Sequence, residues 1–351
     1  MEQILQPTFD LWPLWALGLV IVACIVVLGW GAEWLVRESV ALSERSGVPK
    51  VVVGATIVSL GTTAPEVAVS VMAAVKGIPD LAMGNAVGSI ICDTGLVLGL
   101  SCLIRPLPLP RKIVNRQGWI QFAAGLLLVL ASWPWSDPLS VFSGGGGHFS
   151  RTWGFVFLAL LAGYLWLSTR WAKRTGEGDF PELERDVDAP LGLIVGKLLI
   201  AVALVVISSD ILILAVTIAA KRLGVPTAII AGTVVAFGTS TPELVTGITA
   251  ARRGHGDLAI GNVVGADILN ALFVVGASAA VTSQGLTVTP AFFMWLFPFM
   301  LGVLVMFRVG ILISGPTLHR GVGALLLGLY VVYVITAATG NLAHQVGVVV
   351  R

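Results

Sequence analysis

The chain contains a second copy of part of itself. Residues 55–101, moved along by 177 positions, fall on 232–278 without a gap, and 20 of the 47 aligned positions are identical. The first copy reads GTTAPE at 61–66 and GNAVGSIICD at 84–93; the second reads GTSTPE at 238–243 and GNVVGADILN at 261–270. The register extends upstream, where Gly47-Val48-Pro49 falls on Gly224-Val225-Pro226 and Glu33 on Asp210. Any fold for this chain must house two versions of one unit.

Both copies lie in apolar sequence. A membrane-spanning helix needs about 20 predominantly apolar residues, and ten such segments are expected: 11–36, 50–75, 81–104, 118–134, 153–171, 191–220, 226–251, 257–281, 288–307 and 321–338. The composition agrees, with 56% apolar and 11% charged residues, about half the charge of an ordinary soluble domain. Five spans separate the copies, so the second enters the bilayer from the opposite side. The expected fold class is an all-α polytopic membrane protein with ten transmembrane helices in two inverted five-helix repeats. The first repeat covers 1–171, a short cytoplasmic linker 172–190, and the second, inverted repeat 191–351. Two half-structures of opposite orientation can exchange roles, which gives outward-open and inward-open states around one central site.

Charge placement orients the chain. Sixteen of the 21 Lys and Arg residues fall in or beside the loops that join odd to even spans. The positive-inside rule then puts both termini outside and the 172–190 linker inside. Residues 1–10 carry Glu2 and Asp10 but no Lys or Arg, and the apolar run that follows is too long for a signal peptide. Cys24, Cys92 and Cys102 lie in apolar segments at spacings that suit neither zinc nor a disulfide. The net charge of +2 gives no sign of a nucleic-acid partner. The linker acids Glu177, Asp179, Glu182, Glu184, Asp186 and Asp188 follow no calcium-loop pattern and read as a solvated linker. Gly144–Gly147 reads as a flexible external loop.

Carboxylates in apolar spans need a partner or a task, because an ionised one costs several kcal/mol at bilayer depth. Glu66 and Glu243 sit mid-segment. On a helix, Ser59, Thr62, Thr63 and Glu66 share one face; Thr239, Ser240 and Glu243 repeat the stripe, with Ala236 in place of Ser59. Pro65 and Pro242 lack an N–H and free the carbonyls of Gly61 and Gly238. Backbone oxygen freed at that depth survives only inside protein or beside a cavity. Carboxylate, hydroxyl and carbonyl oxygens together suit hard cations such as calcium and sodium. Asn85, Ser89 and Asp93 form a second stripe, with Asn262, Ala266 and Asn270 as counterparts. Asp93 is a ligand candidate, whereas Asn85 and Asn262 serve either as ligands or as bridges between helices. Asp267, whose counterpart is Ile90, lies about 100° round the helix from Ala266 and is also a candidate. Glu33 lies four residues before Arg37, so a helix-end salt bridge between them is expected.

These motifs resemble the calcium/cation antiporter superfamily, specifically the prokaryotic sodium/calcium exchangers. The likeness covers nearly the whole chain and is densest in the two repeated stretches. It implies a ten-helix fold in which segments 2, 3, 7 and 8 form the ion-binding core and the long segments 1 and 6 slide across it. By motif position, Glu66 and Glu243 look like the calcium carboxylates, helped by the carbonyls of Thr62 and Thr239. The hydroxyls of Thr63, Ser240 and Ser89 look like sodium ligands, with the carbonyls of Ser59 and Ala236, and Asp93 and Asn270 occupy the central pair. Three departures stand out. The lone Asp of the central pair is in the first copy, Ala266 stands where the motif has Ser, and Asp267 stands where Asn is usual.

The expected function is secondary antiport of calcium against sodium in a prokaryotic plasma membrane, without a cofactor or a protein partner. Its partners would be the two ions and the lipid bilayer. A proton-coupled divalent-cation antiporter is the alternative within the same class. A channel would not need the two-state inverted architecture. An enzyme is disfavoured because His148, His255, His319 and His344 are loop or end residues and no nucleophile–base pair shares the core.

Overall fold

The computed structural model describes residues 2–143, 145–174, 190–223 and 236–338. A short helix α1 (Glu2–Phe9) precedes α2 (Leu14–Ser46). Helix α2 has 33 residues and is therefore about 50 Å long, well beyond the ~30 Å of a bilayer's apolar core. It outruns the expected segment 11–36 because charged residues such as Arg37 and Glu38 do not stop a helix. It stops at Gly47, whose φ of 67° is left-handed, followed by Pro49. Helices α3 (Lys50–Thr62) and α4 (Ala64–Val75) meet at a 47° bend around Thr63. Pro65, in the first turn of α4, removes the N–H that would have carried one straight helix through.

The chain continues through α5 (Pro79–Ile104), α6 (Arg111–Ser132), α7 (Arg151–Arg174), α8 (Leu191–Arg222), α9 (Ala236–Thr239), α10 (Thr241–Arg252), α11 (Gly256–Val281), α12 (Phe292–Ile313) and α13 (Arg320–Ala338). Two small antiparallel pairs tie the loops: β1 (Leu107–Pro108) with β4 (Thr317–Leu318), and β2 (Gly147–Phe149) with β3 (Leu286–Val288). Among the described residues, eight helices are long and apolar enough to cross a membrane, or nine with the bent α3–α4 pair. The expected segment 226–251 is described only from Ala236 onward. Most of the 172–190 linker, Gly144, His344 and Gly224–Pro226 lie outside the described residues.

The repeat in the sequence recurs in the helix boundaries. Helix α4 shifted by 177 gives the limits of α10, and α5 gives those of α11. Both long helices carry a π-helical turn at the same place, Asp93–Val97 in one and Asn270–Val274 in the other. Such turns recur at functional sites because the extra residue per turn re-aims side chains. Here each begins at one member of the Asp93/Asn270 pair.

Helices α5 and α11 are almost wholly enclosed, whereas α2 and α13 keep most of their surface outward. The cause is composition: α5 and α11 carry the Asn, Ser and Asp residues that lipid would not accept. Their neighbours approach closely because glycine has no side chain. A Cβ on Gly54 of α3 would lie 2.6 Å from the Leu258 carbonyl oxygen of α11, and one on Gly265 would lie 2.5 Å from the Ala55 Cα. The long helices α2 and α8 pack on each other, with Gly31 against Val205.

Candidate cation site

Glu66 and Glu243 occupy the first turns of α4 and α10, directly after the bends, and both are buried. A helix N-terminus presents unpaired N–H groups and a favourable field to a carboxylate. Proline at the start of each helix thus serves two ends: it makes the bend and sets the acid at the new helix start.

The two copies interlock through this region. Thr239 Oγ1 donates to Asn85 Oδ1 at 3.2 Å, and its counterpart Thr62 Oγ1 donates to Asn262 Oδ1 at 3.5 Å. Each bend therefore reaches the enclosed helix of the other copy. Asn85 Nδ2 donates onward to the Glu66 carbonyl oxygen (3.3 Å) and to Ser70 Oγ (2.9 Å). All of the amide's hydrogen-bonding atoms are engaged, so Asn85 acts as the bridge between helices. Thr63 Oγ1 donates to Glu243 Oε1 at 3.4 Å, again from one copy to the other.

The carboxylates are under-supplied with donors. Both side-chain oxygens of Glu66, both of Asp93 and Oε2 of Glu243 are buried with no donor at hydrogen-bonding geometry. The hydroxyls of Ser89 and Ser240 and both amide atoms of Asn270 are likewise buried without such a partner. Glu66, Glu243 and Asp93 lie close enough for their charges to act on one another. Among the described residues, the ion pairs Arg37–Glu38 and Arg253–Glu33 do not reach this cluster. Buried like charges without a cationic side chain are strongly unfavourable, so the arrangement suits a bound cation. No three His, Cys, Asp or Glu side chains among the described residues close on one point as a ready-made metal cage. Hydroxyl and carbonyl oxygens must complete any site.

The remaining candidates fall as follows. Ser59 is buried; its hydroxyl bonds the Thr56 carbonyl oxygen, and its own carbonyl oxygen receives Thr63 N–H. Ala236 opens α9. The Gly238 carbonyl oxygen freed by Pro242 receives the Ser209 hydroxyl of α8 at 3.3 Å. Ala266 is fully enclosed. Asp267 is buried and engaged elsewhere: its Oδ2 accepts from Thr94 Oγ1 and from Gln121 Nε2 on α6. Its Oδ1 has no donor.

Three features were not anticipated. Thr94 and Gln121 gain a role only because α6 lies beside α11; the one signal was an amide, Gln121, inside an otherwise apolar run. Ser209 was likewise silent. The expected Glu33–Arg37 pair is replaced: Arg253, at the end of α10, reaches Glu33 Oε2 at 2.8 Å, while Arg37 turns to Glu38 at 3.4 Å. Helix periodicity puts Arg37 within reach of Glu33, but α10 packs along α2 and delivers a second arginine to the same acid.

This architecture, with apolar helices around a buried carboxylate core, defines a multi-spanning membrane protein for cation transport. The family model for "Sodium/calcium exchanger protein" matches residues 16–170 and 193–339, and the chain belongs to that family. It is 33% identical over 331 residues to "Inner membrane protein YrbG" of Escherichia coli (strain K12), covering 91% of this chain and 95% of that one. It is 26% identical to "Sodium/calcium exchanger MaX1" of Methanosarcina acetivorans, covering 90% and 97% of the two chains. The fold is that of the sodium-calcium exchanger NCX_Mj, with a TM-score of 0.77 at 24% identity over 92% of this chain and 99% of the other.

Proposed function

We propose that the chain exchanges calcium for sodium across a prokaryotic plasma (inner) membrane by alternating access. Ten helices in two inverted five-helix repeats would carry the exchange, with both termini outside. Glu66 and Glu243 are the calcium carboxylates, aided by the carbonyls of Thr62 and Thr239. The hydroxyls of Thr63, Ser240 and Ser89 and the carbonyls of Ser59 and Ala236 serve sodium. Asp93 and Asn270 form the pair between them. The observation that carries the proposal is the donor-poor cluster of Glu66, Glu243 and Asp93, drawn from both copies and buried where, among the described residues, neither ion pair formed by Lys or Arg reaches it. Calcium and sodium would compete for the same oxygens, so exchange requires only that the empty protein not switch.

The deciding experiment is calcium flux in proteoliposomes, first under an imposed sodium gradient and then under a proton gradient alone. Sodium-driven flux is expected; flux driven only by protons would replace sodium as the coupling ion. Orientation is tested separately. Ser136→Cys, on the exposed segment between α6 and α7, should label from outside, and Gly315→Cys, before α13, from inside.

A further inference from the structure

Helix α3 carries a π-helical turn of its own, Gly54–Val58, which ends just before Ser59. The Ser59 N–H, which in an α-helix would bond the Ala55 carbonyl oxygen, bonds those of Gly54 and Thr56 instead. The Ala55 carbonyl therefore loses its helical partner, and Ala55 is buried. A buried carbonyl left in that state costs about as much as a lost hydrogen bond. The Tyr164 hydroxyl of α7 answers it, donating to the Ala55 carbonyl oxygen at 3.2 Å. Tyr164 is itself 4% exposed, so the bond is shielded from water.

The other side of Ala55 is closed by α11. A Cβ on Gly265 would lie 2.6 Å from the Ala55 carbonyl oxygen and 2.6 Å from the Ser59 hydroxyl oxygen. The π turn is thus clamped between the α11 backbone and one tyrosine. The second copy repeats the placement. Gly154 of α7 and Gly323 of α13, 169 positions apart, face the carbonyl oxygens of Gly276 and Gly99, which are themselves counterparts; a Cβ on either would lie 2.8 Å from its carbonyl. The same spacing carries Tyr164 to Tyr333. The Tyr333 hydroxyl lies 3.9 Å from a Cβ on Gly88, the counterpart of Gly265. Each outer helix therefore sends a tyrosine hydroxyl toward one of these paired glycines. Gly232, the counterpart of Ala55, lies outside the described residues.

We infer that Tyr164 is a positioning residue for sodium: by holding the Ala55 carbonyl it keeps the π turn, and the turn aims the Ser59 carbonyl into the site. The inference rests on the sodium role proposed above for that carbonyl. Without the Tyr164 bond the turn can revert to α-helical bonding, which returns the Ser59 N–H to Ala55 and rotates Ser59 about the helix axis. The calcium oxygens have anchors of their own. Thr62 bonds Asn262, and the Glu66 backbone is held by Asn85. Loss of the tyrosine hydroxyl therefore weakens sodium binding and spares calcium.

The test is Tyr164→Phe in the full-length protein, which removes the hydroxyl and keeps the ring. In ion-free detergent solution, amide hydrogen exchange read by mass spectrometry should quicken across 54–60 by a factor of about 2 to 10, the worth of one hydrogen bond. Residues 84–92 of α5 should keep their rate. Equal exchange in parent and variant, or the same quickening in both stretches, overturns the inference. In proteoliposomes the sodium concentration that gives half-maximal calcium flux should rise by a similar factor of about 2 to 10, with the half-maximal calcium concentration unchanged. An unchanged sodium value overturns the inference, and so do equal rises in both, since a general loss of packing would move the two together. Hydrogen exchange needs no ion, so it judges Tyr164 by itself, while sodium-driven flux in the parent judges the exchange reaction.

Discussion

Thr239 Oγ1 donates to Asn85 Oδ1 across 3.2 Å and so ties the bend of the second copy to the enclosed helix of the first. Asn85 also holds the backbone beside Glu66 and the Ser70 hydroxyl. One buried amide therefore sets the spacing between the α4 and α10 starts, where the two glutamates stand.

Asn85→Ala should strand the Thr239 hydroxyl from its acceptor and leave the Ser70 hydroxyl without its donor, while the Glu66 carbonyl keeps its helical partner and loses only its second bond. Leaving a buried polar group unsatisfied costs about 1–3 kcal/mol. The variant should unfold several degrees lower in detergent and transport calcium with weakened apparent affinity. Asn85→Asp keeps the acceptor for Thr239 but turns a donor into an acceptor facing the Glu66 carbonyl, so it should be the worse of the two. Thermal unfolding of both variants beside the parent checks the order.

Glu66→Gln and Glu243→Gln each remove one charge and keep the shape. Calcium in a poorly solvated site depends on that charge, so each variant should lose more than about tenfold in calcium affinity, equivalent to about 1.4 kcal/mol. Asp93→Asn should cost less, because the counterpart Asn270 is already neutral. Calcium flux against external calcium concentration gives all three values. Near-parental flux in both glutamine variants would place the site elsewhere.

Ala266 is enclosed opposite a mirror position, Ser89, whose hydroxyl has no partner. Ala266→Ser adds one oxygen and should steepen the sodium dependence of calcium flux or move it to lower sodium. Asp267 is held by Thr94 and Gln121. Asp267→Asn should therefore disturb α6 packing and lower thermal stability more than it changes the sodium curve. A sodium curve that is the same in the parent, Ala266→Ser and Asp267→Asn would exclude position 266 from sodium binding.

His255 is the residue immediately before α11; its backbone carbonyl oxygen accepts from Leu258 and Ala259 N–H, and its Nδ1 lies 3.4 Å from Lys50 Nζ. Burial, and then the Lys50 charge, hold its pKa below the ordinary value of 6.5. The unfolded chain then binds a proton more readily than the folded one, so stability contributed here is present above pH ~6.5 and is lost as pH falls through the folded value. His255→Gln should flatten the fall in thermal stability between about pH 7 and pH 5. An identical fall in parent and variant would assign it to other groups.

The division between sequence and tertiary structure follows the range of the forces. The bend before Glu66, its copy before Glu243, the stripe of Thr62, Thr63 and Glu66, and the repeat itself were legible because they depend on covalent limits and helical periodicity. Proline's missing N–H and the i, i+3, i+4 spacing act within a few residues. The need for an enclosed α5 was legible for a similar reason, since Asp93 and Asn85 cannot face lipid. What the sequence could not decide was every partnership made across helices. Asn85 as a bridge, Asp267 turned toward Gln121, Ser209 on the Gly238 carbonyl, and Arg253 rather than Arg37 on Glu33 all depend on which helix lies beside which. That arrangement is settled by close backbone contacts such as Gly54 against Leu258, and these join residues some two hundred positions apart. A local pattern can show that an acid needs a partner; only the packed chain brings one within 3 Å.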